Sequence, residues 1–181
     1  MRTPGEYEGE EFLEIVDEQG NVLGTAPREE IHGNPELLHR VVHVLVFNRT
    51  GELLLQKRSL RKDVAPGQWD TSVGGHVEPG EDVYDAARRE MREELGADCP
   101  ELEYLYSYIH ANPYESELVY TFACTFDGAI TFNRDEIQEI RTWKIGDILE
   151  AVDRPPAPGR EEAAFSDNFR HELRMYLKSR T

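Results

Sequence analysis

The chain has 181 residues, 39% of them hydrophobic and 31% charged, with a formal net charge of −16 at pH 7. That length accommodates one well-buried core and leaves little room for a second complete domain. The acidic balance disfavours duplex nucleic acid and anionic membranes as main partners, and no apolar run approaches the ~18 residues of a membrane helix.

The opening segment "MRTPGEYEGEEFLE" lacks the apolar core of a secretory signal. Cys99 and Cys124 fit neither a disulfide framework nor a CxxC pattern, so a reducing, cytoplasmic setting is expected. Residues 1–10 read as a flexible N-terminus and 11–181 as a single domain. Residues 11–16 and 21–25 flank "DEQG" as a short hairpin, and Pro27 opens a short helix at "REEIH". "RVVHVLVFN" and "LLLQKR" bracket "RTGE" as a second, stronger hairpin whose first strand is apolar enough to be central. "QKRSLRK" then places four cations in seven residues. After "APGQW" and "DTSVGG", Glu81 to Leu95 has helical spacing with Gly96 as its stop. Strands follow at 102–110, 117–127 and "EIRTWKI", then a short helix near "GDILEAV". Residues 153–162 are a linker rich in proline and charge, and 164–179 a closing amphipathic helix with Ser166 or Asp167 as N-cap. This order suggests a mixed sheet with helices on both faces.

On the helix from Glu81, Glu93 and Glu94 fall roughly 60° and 40° to either side of Glu90, so three carboxylates share one face. Val83, Tyr84, Ala87, Met91 and Leu95 form the adjoining apolar stripe, which puts Glu90 and Glu94 at the edge of the buried face. Like charges there call for a positive partner. A divalent cation with oxygen ligands, Mg²⁺ or Mn²⁺, meets that need, and the paired glycines could bring a main-chain carbonyl such as that of Gly75 to the same ion.

From Gly75 the chain reads Gly, five residues, Glu81, seven residues, Arg89-Glu90, Met91, one residue, Glu93-Glu94, one residue, Gly96, Ala97. Chance would match seven such positions on the order of once in 10⁸ registers, so a coincidence is set aside. The pattern resembles the complete Nudix signature. The resemblance implies an α/β/α sandwich around a mixed sheet and metal-assisted attack of water on a diphosphate linkage in a small anionic metabolite, such as a nucleoside diphosphate derivative. It further implies that Glu90 and Glu94 ligate the catalytic metal, that Glu93 ligates or acts as base, and that Arg89 and Glu81 orient helix and loop.

Over most of residues 11–170 the chain also resembles type I isopentenyl-diphosphate isomerase and the hydrolases similar to it. His32, His39 and His76 match in order the three histidines of the isomerases' metal site, and Glu115 and Glu117 match its two glutamates, whose spacing puts both on one strand face. That resemblance implies a second ion, with Mn²⁺, Zn²⁺ or Fe²⁺ suited to such a set. It also gives Arg28, Arg58 and Lys62 a role in holding the substrate's diphosphate. Three departures weigh against isomerisation. The isomerases place a cysteine where this chain has Gly74. Their helix lacks the acids found here at Glu90 and Glu93, and their carbocation-shielding tryptophan aligns with Ala163.

The expected activity is therefore diphosphate hydrolysis, with an isopentenyl-diphosphate isomerase-like enzyme as the alternative and a non-catalytic nucleotide-binding module as the second alternative. Intact Glu90, Glu93 and Glu94 speak against the module, which has no need of a repulsive triad. Trp69, Tyr108 and Phe165 could stack on a base or cover an apolar tail, but core positions suit them at least as well, and no role is assigned.

Overall fold

The structure, a computed structural model, describes residues 11–153 and 164–181. Readings that fall on 1–10, on Ala163 and on all but Asp153 of the linker lie outside the described residues.

The first hairpin forms as expected, between β1 (Phe12–Val16) and β2 (Val22–Pro27), and Arg28–Ile31 makes the short α1. The second hairpin does not form as read. β3 (Leu38–Phe47) and β4 (Leu53–Arg58) pair only at Phe47 and Leu53, beside their turn, and then part. The reason lies in β3, which is apolar on both faces and so takes the centre of the sheet with neighbours on both edges. One edge runs parallel to β8 (Ser116–Thr125) along its whole length. The other edge is shared in turn: β1 meets it at His39, and β6 (Val73–His76) meets it from Val41 to Val44. β4 instead pairs with β9 (Ile137–Trp143) and with the two-residue β5 (Trp69–Asp70), while β7 (Glu103–Ala111) closes the side beyond β8.

Helices cover both faces of this mixed sheet. On one face lies α2 (Val83–Leu95), whose Ala86, Ala87, Met91 and Leu95 pack against Val42, Val44 and Val46 of β3. On the other lie α3 (Ile145–Val152) and α4 (Asp167–Ser179), where Ile148, Phe169 and Leu173 pack with Leu45 and Leu55. This is the α/β/α sandwich expected from sequence.

Local chemistry sets the helix ends. The Asp82 carboxylate accepts from the Tyr84 amide at 2.8 Å and caps the helix, so α2 starts at Val83, two residues after the expected Glu81. It ends at Gly96 in the left-handed conformation (φ 60°), where an added Cβ would lie 2.8 Å from the Thr131 carbonyl. Ser166 caps α4 by accepting from the Phe169 amide. The preceding turn is pinned to the sheet by Trp69, whose amide donates to the Ala164 carbonyl and whose carbonyl accepts from the Ser166 amide. Among the described residues no helix is long and apolar enough to cross a membrane.

Candidate active site

The glycine pair of β6 and the acidic face of α2 form one wall of a cavity of about 680 Å³. Glu94 is buried, and its Oε2 accepts from the Gln56 side-chain amide at 2.8 Å and from the Gly74 amide at 3.2 Å. Burial and the charge of Glu90 push its carboxyl pKa up to about 8 against those two donors. Glu90 lies against the next residue: a Cβ on Gly75 would fall 2.1–2.5 Å from its carboxyl atoms. Only glycine leaves that space. Burial raises the Glu90 pKa to about 7, although Arg89 pulls the other way.

Arg89 ties this wall together. It makes a two-pronged pair with Glu81, both contacts 2.9 Å, and reaches Glu90 at 2.7 Å, Glu93 at 3.2 Å and the His76 carbonyl at 2.9 Å. The positive partner expected for the α2 acids is thus supplied in part by the chain itself. Glu93 stands apart, its side chain 58% exposed at the cavity mouth.

The histidines gather in a second cluster. His32 follows α1, His39 lies on β3 directly across from Glu117 on β8, and His76 ends β6. His32 and His76 approach at 3.2 Å between their Nε2 atoms, and His32 Nε2 is 3.4 Å from Glu115 Oε2. Among the described residues, His32–His39–His76 and His39–Glu115–Glu117 each bring their ligand atoms within 4.8 Å of one another. Glu90, Glu93 and Glu94 form no such compact group. Both nitrogens of His39, Nδ1 of His32 and Oε2 of Glu115 are buried without a hydrogen-bond partner. Burial, reinforced by neighbouring cations, lowers the pKa of His32 to about 4 and of His39 to about 3, so both rings are neutral near pH 7. Neutral imidazoles with orphaned nitrogens beside two carboxylates fit a divalent transition metal. Outer partners are present too: the Glu11 carboxylate accepts from His76 Nδ1 at 2.7 Å, and Asn168 donates to Glu117 at 2.9 Å.

Of the basic cluster, Arg58 and Lys62 line the cavity, as does Arg28, each already paired with an acid. Arg28 bonds Asp63 at 2.9 Å and lies 3.4 Å from Glu11. Arg58 donates to the Val64 carbonyl and lies 3.5 Å from Asp70, and Lys62 bonds Glu136. Trp69, Tyr108 and Phe165 are buried core residues. The sequence reading missed Gln56, which orients Glu94, and a buried pair formed by His43 and Glu172. Two signals were available for that pair. His43 shares the parity of His39 on β3, and Glu172 interrupts the apolar spacing of Phe169, Leu173 and Tyr176 on α4.

A NUDIX domain profile matches residues 37–163. The chain belongs to the Nudix superfamily. Within it, this Nudix protein is 38% identical over 152 residues to isopentenyl-diphosphate Delta-isomerase 2 of Photorhabdus laumondii, covering 81% of this chain and 85% of that one. It is 37% identical over 168 residues to an uncharacterised Nudix hydrolase of Pseudomonas aeruginosa, covering 92% and 94%. A crystal structure of a Deinococcus radiodurans protein superposes with a TM-score of 0.72 at 26% identity, covering 94% of this chain and all of that one. The kinship places it in the isomerase-like branch, with both a named isomerase and a named hydrolase among its relatives.

Proposed function

We propose that this Nudix protein is a metal-dependent hydrolase that cleaves a diphosphate linkage in a small anionic metabolite. The observation that carries the reading is the packing of Glu90 and Glu94 on Gly75 and Gly74. Two carboxylates kept at raised pKa share this wall, and the position where an isomerase needs its thiol has no side chain. An ion bound at this wall would neutralise diphosphate charge and acidify a coordinated water.

The residues of the chain divide the remaining work. Gln56 and the Gly74 amide aim Glu94, and Arg89 fixes Glu90 while bracing the loop through Glu81. The exposed carboxylate of Glu93 ligates or takes the proton of the attacking water. Arg28, Arg58 and Lys62 meet the diphosphate, exchanging their acid partners for its oxygens. His32, His39, His76, Glu115 and Glu117 would hold a second divalent ion, Mn²⁺, Zn²⁺ or Fe²⁺.

A second reading, isopentenyl-diphosphate isomerase-like activity, is favoured by that histidine and glutamate cluster and by relatives bearing the isomerase name. On kinship and cluster geometry alone it is the better supported of the two; the absence of a thiol at Gly74 is what turns the proposal to hydrolysis. The test is a panel of nucleoside, sugar and prenyl diphosphates with Mg²⁺ or Mn²⁺, followed by phosphorus and proton NMR. Phosphomonoester release supports hydrolysis; an allylic isomer with no hydrolysis on any substrate reverses the order.

A further inference from the structure

The face of the sheet beneath α4 holds a buried acid that neither metal cluster uses. Glu172 is fully buried, and its carboxylate accepts from four side chains. The Tyr106 hydroxyl lies at 2.7 Å, the Tyr108 hydroxyl at 2.8 Å, Thr121 Oγ1 at 2.9 and 3.1 Å, and His43 Nδ1 at 2.7 Å. Among the described residues His43 is its only basic partner. A buried carboxylate with one available counter-charge favours the imidazolium form of that histidine.

The other edge of the His43 ring faces the cavity. Gly74 lies beside it in register on β6, and a Cβ at Gly74 would fall 3.2 Å from His43 Cδ2 and 3.6 Å from Nε2. The imidazole therefore occupies the space next to the position where the isomerases carry their cysteine. Both residues line the cavity, and the Gly74 amide bonds Glu94. His43 Nε2 makes no hydrogen bond to any described residue. The cavity's other cations, Arg28, Arg58, Lys62 and Arg89, are each spent on a carboxylate that also lines the cavity. His43 differs because its counter-charge sits behind it, on α4.

We propose that His43, held by Glu172, is a substrate-binding residue whose Nε2–H donates to a phosphate oxygen of the bound diphosphate. Glu172 is a positioning residue that fixes the ring and its charge from behind. The inference rests on the diphosphate-enzyme reading but not on which bond is broken. Burial works against the charged ring, yet the hydrogen bond and charge of Glu172, joined by the charges of Glu117 and Asp70, outweigh it, leaving the His43 pKa raised. For Glu172 the bonds from His43, Tyr106 and Tyr108 likewise outweigh burial, and its pKa is lowered.

The test uses the full chain, labelled with ¹⁵N-histidine and titrated with methylenebisphosphonate, a non-hydrolysable diphosphate, in Mg²⁺. Comparison with His43→Gln assigns the resonances. The expected result is an imidazolium spectrum for His43 whose Nε2 signal moves on binding while Nδ1 stays bonded to Glu172. His43→Gln should weaken bisphosphonate binding about 10–100-fold, the range for a lost charge-assisted hydrogen bond. Glu172→Gln keeps an acceptor for the tyrosines but removes the charge. It should weaken binding in the same direction, and it carries the test if His43→Gln does not fold. A silent Nε2 with bisphosphonate bound, or unchanged affinity in both variants, overturns the proposal. If the wild type hydrolyses nothing but Nε2 still responds, the hydrolase reading falls and this one stands; if a panel substrate is hydrolysed but bisphosphonate does not bind, this proposal falls and the hydrolase reading stands.

Discussion

On α2, Glu90 and Glu94 are met by donors of the protein's own: Arg89, Gln56 and the Gly74 amide. In the histidine cluster, His32, His39 and Glu115 keep buried atoms with no hydrogen-bond partner. The first wall is an anionic surface held in a proton-rich state, with carboxyl pKa values near 7 and 8. The second is two triads that share His39, His32–His39–His76 and His39–Glu115–Glu117, each with its ligand atoms within 4.8 Å of one another, where imidazoles kept neutral by burial adjoin buried carboxylates. On the proposed reading the two walls would take different ions: oxygen ligands on α2 suit a hard cation, and the imidazole-rich cluster suits a transition metal.

The largest expected effect breaks the α2 wall. Glu94→Gln keeps the shape and the bonds to Gln56 but removes a ligand charge, so turnover should fall at least ~100-fold if a lost ligand costs several kcal/mol of barrier. Steady-state kinetics on the best substrate of the panel checks it, and an undiminished rate would refute the role. On the other wall, His39→Ala should cost one tightly bound transition-metal ion per chain. Metal analysis of protein purified without chelator reads this directly; an unchanged metal content would mean that the cluster is structural.

Gly75→Ala separates geometry from stability. Its added Cβ would meet the Glu90 carboxylate, the far end of a flexible side chain, at 2.1–2.5 Å. Glu90 can swing away, so the melting temperature should barely change while turnover falls about tenfold or more, in line with the effect of misplacing a reacting group by about 1 Å. A smaller effect follows from linkage. Glu90 and Glu94 keep protons in the fold that the unfolded chain releases near the ordinary 4.5, because their folded pKa values are raised to about 7 and about 8. Their contribution to stability is therefore fully present below about pH 4.5 and is lost as pH rises through 7 and 8. In EDTA the melting temperature of wild type should decline over this window more than that of Glu94→Gln, and Mg²⁺ should reduce the difference by taking the proton's place. Parallel profiles for the two proteins would contradict the assignment of the raised pKa to Glu94.

How much of this was readable before the fold depends on how local each feature is. The α2 signature was legible because its glycines, Glu81, Arg89 and the three acids lie within one turn-and-helix unit of fixed spacing. The α/β/α layering followed from the order of strands and helices. The pairing of β3 was not legible: its partners β6 and β8 lie far along the chain, and apolarity on both faces says central without saying beside which strand. His43 and Glu172 stayed hidden for the same reason, 129 positions apart and joined only when α4 docks on the sheet. That Arg89 would draw Glu90 and Glu93 to itself, and that Arg28, Arg58 and Lys62 would each hold an acid, also needed coordinates, since side-chain partners follow from packing and not from spacing.

The central claim is that water attacks phosphorus at the α2 wall. Reaction with isopentenyl diphosphate and a nucleoside diphosphate derivative in ¹⁸O-labelled, deuterated water tests it most directly, because hydrolysis writes ¹⁸O onto a phosphate product and isomerisation writes deuterium onto carbon. The account predicts one ¹⁸O in the phosphoryl product, lost in Glu94→Gln, and no deuterium on carbon. Deuterium on carbon with no ¹⁸O in phosphate from either substrate would contradict it.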